Sequence, residues 1–287
     1  MNGYVFTDQN SKNVKKPESW GQSAEVSYEA SQRLNTGNLT YAYIVGLFEG
    51  DGFFSVSKNG IYFHCEIGIE LNIRDVELIY KIKNILGVGV IKFRKKNNND
   101  SVALIIRKKE HLINIMLPIF DKYPMFSKKH YDYLWLKEVL LSNEKKYSNL
   151  KSYTRPNKDK NTVESIISTT YFPAWLIGFI EAEGCFSFYT IRNNYFVASF
   201  DISQTNEEIL ILAIKQYLHF TTKVHRDETN AYKLKVTSIR SIDNVIKFLN
   251  NSSIKLLGHK RLQYIIWLKN LRTVERFKNK INIPNNY

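Results

Sequence analysis

The chain has 287 residues, 44% of them hydrophobic, and 41 lysines and arginines stand against 27 aspartates and glutamates for a net charge of +14. That length buries one large core or two smaller ones, and a positive excess spread along the chain points to a polyanionic partner, nucleic acid before any other. No apolar run reaches the ~18 residues of a spanning helix, so no membrane partner is expected.

Two cysteines, Cys65 and Cys185, make no disulfide framework and suit a reducing interior. The six histidines are scattered without zinc-site spacing, and no G-x-x-x-x-G-K-[ST] loop supports nucleotide hydrolysis.

In chain order, residues 1–38 form a polar extension with Asp8 and Glu18, and the first arginine is Arg33. An organellar presequence is arginine-rich and acid-poor and a secretory signal has an apolar centre, so neither is expected here. YIVGLFEGDGFFSV, residues 43–56, reads as an apolar helix ending in acid-glycine and running into a strand, and Tyr62 to Leu71 reads as a second strand. RDVELIYKIKNIL is a helix, with Val76, Ile79, Ile82 and Ile85 at apolar spacing. GVGVIKFRKK and SVALIIRK flank an NNND turn as a hairpin, and HLINIMLPIF and DYLWLKEVLL are helical. NEKKYSNLKSYTRPNKDKNT is polar and marks a linker, set at 143–170.

The order then repeats. WLIGFIEAEGCFSFY matches the first motif; CFSFYTIR and YFVASFDIS flank a turn at Asn193 and Asn194. The helix EEILILAIKQYL, the hairpin TTKVHRDETNAYKLKVTS and the helices SIDNVIKFLN and KRLQYIIWLKNL follow. Glu183 lies 132 residues after Asp51, and Lys260 lies 131 after Lys129. Such offsets mean two copies of one unit, at 39–142 and 171–287.

Gly46 and Gly50 share a helix face, as do Gly178 and Ala182. Two helices with small residues on one face pack backbone to backbone, here as the seam between the copies. Gly52 and Gly184 are expected to stop the helices in left-handed conformation. Asp51 and Glu183 then stand at helix C-termini, where unpaired carbonyls and the negative end of the dipole repel a carboxylate unless a cation is near. Mg²⁺ suits this oxygen-only set, with the carbonyls of Gly50 and Ala182 as co-ligands. Glu49 and Glu181, two positions earlier, point elsewhere and read as caps or supports.

IVGLFEGDG and LIGFIEAEG resemble the paired motif of the LAGLIDADG homing endonucleases, in the single-chain two-repeat form encoded by group I introns. The resemblance runs to the chain end from about residue 38 and includes FDKYPMFSKKH and LLGHKRL, which close the repeats. It implies an α+β fold: two pseudo-symmetric αββαββα halves whose curved antiparallel sheets form a DNA-binding saddle around the packed motif helices. It implies a monomer that hydrolyses both strands of a double-stranded DNA target across the minor groove, using Asp51, Glu183 and Mg²⁺, for which Ca²⁺ or Mn²⁺ may substitute. Lys129 and Lys260 match the family's basic position near the active site, where a lysine stabilises phosphate charge or orders water. Gln204 matches a polar position whose counterpart in the first repeat is Leu71, so the half-sites are chemically unequal. The motifs depart mildly from the family pattern, with Ile44 and Leu176 at the first position and unlike acids.

Base contacts are expected from alternate positions on one face of each sheet. Counting from the acids gives Phe53, Ser55, Ser57 and Asn59, then Cys185, Ser187, Tyr189 and Ile191. Lys92, Arg94 and Arg107 extend the first face, and Lys233, Lys235 and Thr237 the second. The apolar members Phe53 and Ile191 suit a core equally well. Alternative functions on this surface are a maturase that binds intron RNA and a DNA-binding protein that has lost cleavage. Abundant Asn, Lys, Ile, Tyr and Phe imply A/T-rich codons, as in many bacteria and in organelles; with the resemblance, a mitochondrial location follows.

Overall fold

The computed structural model describes residues 38–95, 100–191 and 195–287. Most of the N-terminal extension, most of the NNND turn and the turn at Asn193 and Asn194 lie outside the described residues. The first repeat runs α1 (Asn38–Asp51), β1 (Gly52–Asn59), β2 (Tyr62–Asn72), α2 (Val76–Leu86), β3 (Val90–Arg94) and β4 (Ser101–Ile106). A helical stretch, α3 (Lys109–His111), passes through a π turn at Leu112–Met116 into α4 (Leu117–Lys122), and α5 (Lys129–Leu141) follows. Pro118 near the start of α4 has no N–H to continue an unbroken ladder, which accounts for the irregular turn before it.

The second repeat has the same order: α7 (Phe172–Glu183), β5 (Cys185–Ile191), β6 (Tyr195–Thr205), α8 (Glu208–Tyr217), β7 (His225–Arg226), β8 (Ala231–Val236), α9 (Ile239–Asn251), α10 (His259–Arg272) and α11 (Glu275–Lys278). The segment between the repeats carries its own short helix, α6 (Val163–Ile167), started by a Thr162–Ser165 capping box. Polar as it is, this linker is tied down. Tyr153 stacks on Trp135 and donates to Asp132 at 2.6 Å, and Lys128 pairs with Asp159 at 2.9 Å.

Each repeat holds a four-stranded antiparallel sheet, ordered β1-β2-β4-β3 and β5-β6-β8-β7. Alternation along the strands divides the faces. Phe54, Ile67, Ile69, Leu71, Val102 and Leu104 belong to the core, as do Phe186, Ala198, Phe200, Ile202 and Leu234 in the other sheet. Helices cover that face: Phe54 packs edge-on to Phe120 of α4 and Tyr133 of α5. The opposite faces are open along their outer strands, while Ala103 and Ile105 of the central strand β4 are buried there too.

The motif helices α1 and α7 are apolar almost all round and accordingly buried, from Tyr41 to Phe48 and, Pro173 aside, from Phe172 to Ile180. They run parallel and touch through their glycines. A Cβ added to Gly46 would stand 2.0 Å from the carbonyl oxygen of Trp175, and one on Gly178 would stand 1.9 Å from that of Tyr43. Only glycine allows this approach. The expected left-handed stop, by contrast, does not occur. Gly184 is extended at φ −71°, and Gly52 is not among the residues of positive φ. Each glycine is needed for room instead, because a Cβ would lie 2.5 Å from the Phe48 oxygen or 2.7 Å from the Ile180 oxygen as the chain turns directly from helix to strand.

Candidate active site

The crossing sets the ends of α1 and α7 side by side. A Cβ on Gly50 would meet the Ala182 Cβ at 2.3 Å and the Glu183 Cγ at 3.2 Å. Asp51 and Glu183, the last residues of the two helices, therefore lie on adjoining turns. Asp51 opens to solvent and Glu183 is half-buried. Desolvation by the surrounding protein raises both carboxyl pKa values, Asp51 included although its side chain still reaches solvent, and the charge of Asp51 helps push Glu183 up to about 7. A pair of carboxylates that resists ionising together fits a hard divalent cation, and a pocket of about 210 Å³ beside Asp51 has room for several waters. Among the described residues no group of three or more His, Cys, Asp and Glu side chains forms a ready-made metal cage. An ion held by two carboxylates keeps much of its water shell, as Mg²⁺ does.

The sequence alone points to a metal as the cation at these helix ends. The chain also supplies two ammonium groups. Lys129, at the start of α5, donates to the carbonyls of Gly50 and Gly52 at 2.8 Å each and of Phe48 at 3.3 Å. Lys260, at the start of α10, donates to the Gly184 carbonyl. They cap the negative ends of α1 and α7. The Gly50 carbonyl, expected as a metal ligand, thus already accepts a lysine bond, and Ala182 meets the other helix through its methyl group. Burial lowers both lysine pKa values, while Glu49, Glu183 and Asp51 pull Lys129 back up.

Glu49 and Glu181 hold the lysines in place. Fully buried, Glu49 accepts from the amides of Phe126 and Ser127, just before α5, and from the indole N–H of Trp175 on α7 at 2.7 Å. Glu181 mirrors it, accepting from the Leu257 amide at 2.7 Å, the Gly258 amide at 3.2 Å and the Tyr43 hydroxyl on α1 at 3.0 Å. Each glutamate fixes its own repeat's lysine helix and locks onto the other motif helix. Gln204 donates to Glu183 at 3.3 Å, whereas Leu71 is packed in the core.

The open faces carry the expected strand positions. Phe53, Ser55 and Ser57 pair with Gly68, Glu66 and His64, opposite the core side. Phe53 lies over Gly68, where a Cβ would come within 2.5 Å of its ring. Asn59 ends β1 in solvent, and Lys92 and Arg94 are exposed on β3. In the second sheet Cys185, Ser187, Tyr189 and Ile191 lie on the open side, and Ile191 is 48% exposed, not core. Lys235 sits over the Tyr189 ring at 5.4 Å and 3.5 Å from Asp201; Lys233 pairs with Asp227 at 2.6 Å. Thr237 is exposed just past β8.

Sequence reasoning missed the acids on these faces. Arg94 pairs with Glu70, and Arg107 with Glu66 at 2.5 Å. The signal was present in the alternation of FHCEIGIELN, which puts His64, Glu66 and Glu70 on one side.

The family model described as LAGLIDADG endonuclease matches residues 44–140 and again 176–271. A probable intron-encoded endonuclease of Dictyostelium citrinum is 33% identical over 246 residues, covering 82% of this chain and 92% of its own length. One of Schizosaccharomyces pombe is 29% identical over 259 residues, covering 82% of this chain, and the match spans only 65% of that relative. Among solved structures, I-SmaMI bound to uncleaved DNA target in the presence of calcium ions superposes with a TM-score of 0.68 at 23% identity, over 83% of this chain and 92% of that one. With two matched repeats, paired motif helices and two four-stranded antiparallel sheets, this chain belongs to the LAGLIDADG endonuclease family.

Proposed function

We propose that the protein is a site-specific homing endonuclease that cuts both strands of a DNA duplex with Mg²⁺. One observation carries this reading: two carboxylates from different repeats meet at the ends of paired helices, beside two lysines and between two open, partly basic sheet faces. Asp51 and Glu183 would hold the cation, which Ca²⁺ or Mn²⁺ can replace. When bound, it supplies charge relief on the phosphate and a more acidic water. Lys129 and Lys260 keep positive charge next to the position of the scissile phosphates. Gln204 orients Glu183, and the first repeat, with Leu71 at that position, offers no such donor.

The open-face residues from Phe53 to Asn59 and from Cys185 to Ile191, with the neighbouring lysines and arginines, form the duplex-reading surface. Arginine suits guanine edges, and lysine suits phosphates. Because one chain carries both halves, the working form is a monomer. Relatives named as intron-encoded endonucleases, a relative named as a mitochondrial protein, and a composition rich in Asn, Lys, Ile, Tyr and Phe favour a mitochondrial intron as the source.

The test is a duplex selected from a randomised library by the wild-type protein. With Mg²⁺, wild type should cut it, and Glu183→Gln should bind it without cutting. Cleavage by Glu183→Gln at the wild-type rate would remove the basis of the proposal.

A further inference from the structure

Three consecutive amides lead up to each site lysine at the entry to its helix, and carboxylates from distant parts of the chain take all three. In the first repeat Glu49 takes Phe126 and Ser127, and Glu207 takes the Lys128 amide at 2.9 Å. In the second, Glu181 takes Leu257 and Gly258, and Asp75 takes the His259 amide at 2.7 Å. Two of the three bonds come from within the repeat. The third crosses to the other one.

The crossing acids occupy equivalent places. Asp75 is the N-cap residue of α2, and Glu207 is the N-cap residue of α8. An aspartate at an N-cap ordinarily bonds its own helix, and a glutamate there carries the same acceptor on a longer stem. Neither does so here: both leave their own helix without a side-chain cap and bond the opposite repeat's lysine helix instead. Glu207 is buried at 6% exposure, and the Asp75 side chain is 16% exposed, with its second oxygen 3.6 Å from Arg74. Further bonds brace each contact. Lys128 Nζ donates to the Asn206 carbonyl beside Glu207, and Lys81 of α2 donates to the Leu257 carbonyl at 3.0 Å. The residue after each crossed amide is the lysine that reaches the motif carbonyls.

We infer that Asp75 and Glu207 are crossed positioning residues: Asp75 of the first repeat aligns Lys260 of the second, and Glu207 of the second aligns Lys129 of the first. Each half of the active site is thereby assembled by the opposite sheet's connecting helix, so a change in one half is felt in the other. The inference rests on the nuclease reading for its effect on cutting. The alignment itself stands apart from that reading.

Two measurements test it on the full chain. Hydrogen exchange of the free protein should show residues 257–260 exchanging about tenfold faster in Asp75→Ala, and residues 126–129 likewise in Glu207→Ala, as loss of one charge-assisted bond implies. On the selected duplex, labelled on both strands, the ratio of the two single-strand rates should shift about tenfold, in opposite directions for the two variants, as small misplacement of reacting groups does. Asp75→Asn and Glu207→Gln keep an acceptor oxygen and should hold the wild-type ratio. If an alanine variant folds poorly, Asp75→Leu or Glu207→Met takes its place.

Unchanged exchange in the opposite repeat overturns the alignment. A ratio that does not move, that moves the same way in both variants, or that fails to recover with Asn and Gln overturns the effect on cutting. Should wild type bind the duplex and cut neither strand, the nuclease reading fails, and the exchange data still decide the alignment.

Discussion

The backbone of Gly178 touches the carbonyl of Tyr43 so closely that a Cβ would stand 1.9 Å from its oxygen. Because the obstacle is backbone, no side-chain rotation relieves it, and the two motif helices would have to part. Gly178→Ala should destabilise the protein by about 3 kcal/mol, at the upper end of the usual overpacking range. Denaturant titration checks this. Separation of the helices also moves Asp51 from Glu183, so divalent-cation affinity should fall in whatever fraction remains folded.

Glu49 takes two amides and an indole N–H inside the protein. Truncating it leaves three buried donors without a partner, each costing upward of about 1 kcal/mol. Glu49→Ala should therefore lower stability by about 3 kcal/mol or more, and Glu49→Gln, which keeps one acceptor, by less. Thermal unfolding of the two variants side by side gives the comparison.

Glu207 links pH to stability. Burial, its leading cause, raises the carboxyl to about 7 in the folded chain, against 4.5 ordinarily. Between these values the folded state holds a proton that the unfolded state has released, so this group's contribution to stability falls as pH rises through the window. It is full below about 4.5 and lost above about 7. Glu207→Gln does not titrate. Urea unfolding at pH 5 and pH 8 should show a smaller drop for the variant than for wild type.

Binding to the duplex should weaken steeply with salt, because lysines and arginines on the open faces displace condensed counterions. Lys92→Ala and Lys235→Ala should each reduce the slope of log affinity against log salt by about 1, if each lysine touches one phosphate. Filter binding or fluorescence anisotropy across a salt series measures it. A flat response in wild type would contradict a phosphate-tracking surface.

Much of this was legible in the chain itself. Period-two alternation separates Phe54 and Val56 from Phe53, Ser55 and Ser57, because successive strand residues point to opposite faces whatever lies beyond them. Small residues four apart mark the touching sides of α1 and α7, since only small side chains let two backbones come close. Near-equal spacing of Asp51–Glu183 and Lys129–Lys260 reveals the duplication without any structure.

Other features depend on contacts that sequence distance hides. Gly52 and Gly184 look like left-handed stops in the sequence, yet the crowding carbonyls of Phe48 and Ile180 make them close-approach glycines with ordinary dihedrals. Lys129 and Lys260 read as phosphate partners and also cap the motif helices. Asp75 and Glu207 carry no mark in the sequence, yet they reach across the seam to amides of the opposite repeat. The sequence by itself determined which residues are apolar, small or charged and with what period, because those are properties of single residues and local geometry. Tertiary structure alone decided which donor meets which carboxylate, because a buried hydrogen bond forms wherever packing brings the partners together, however many residues lie between them.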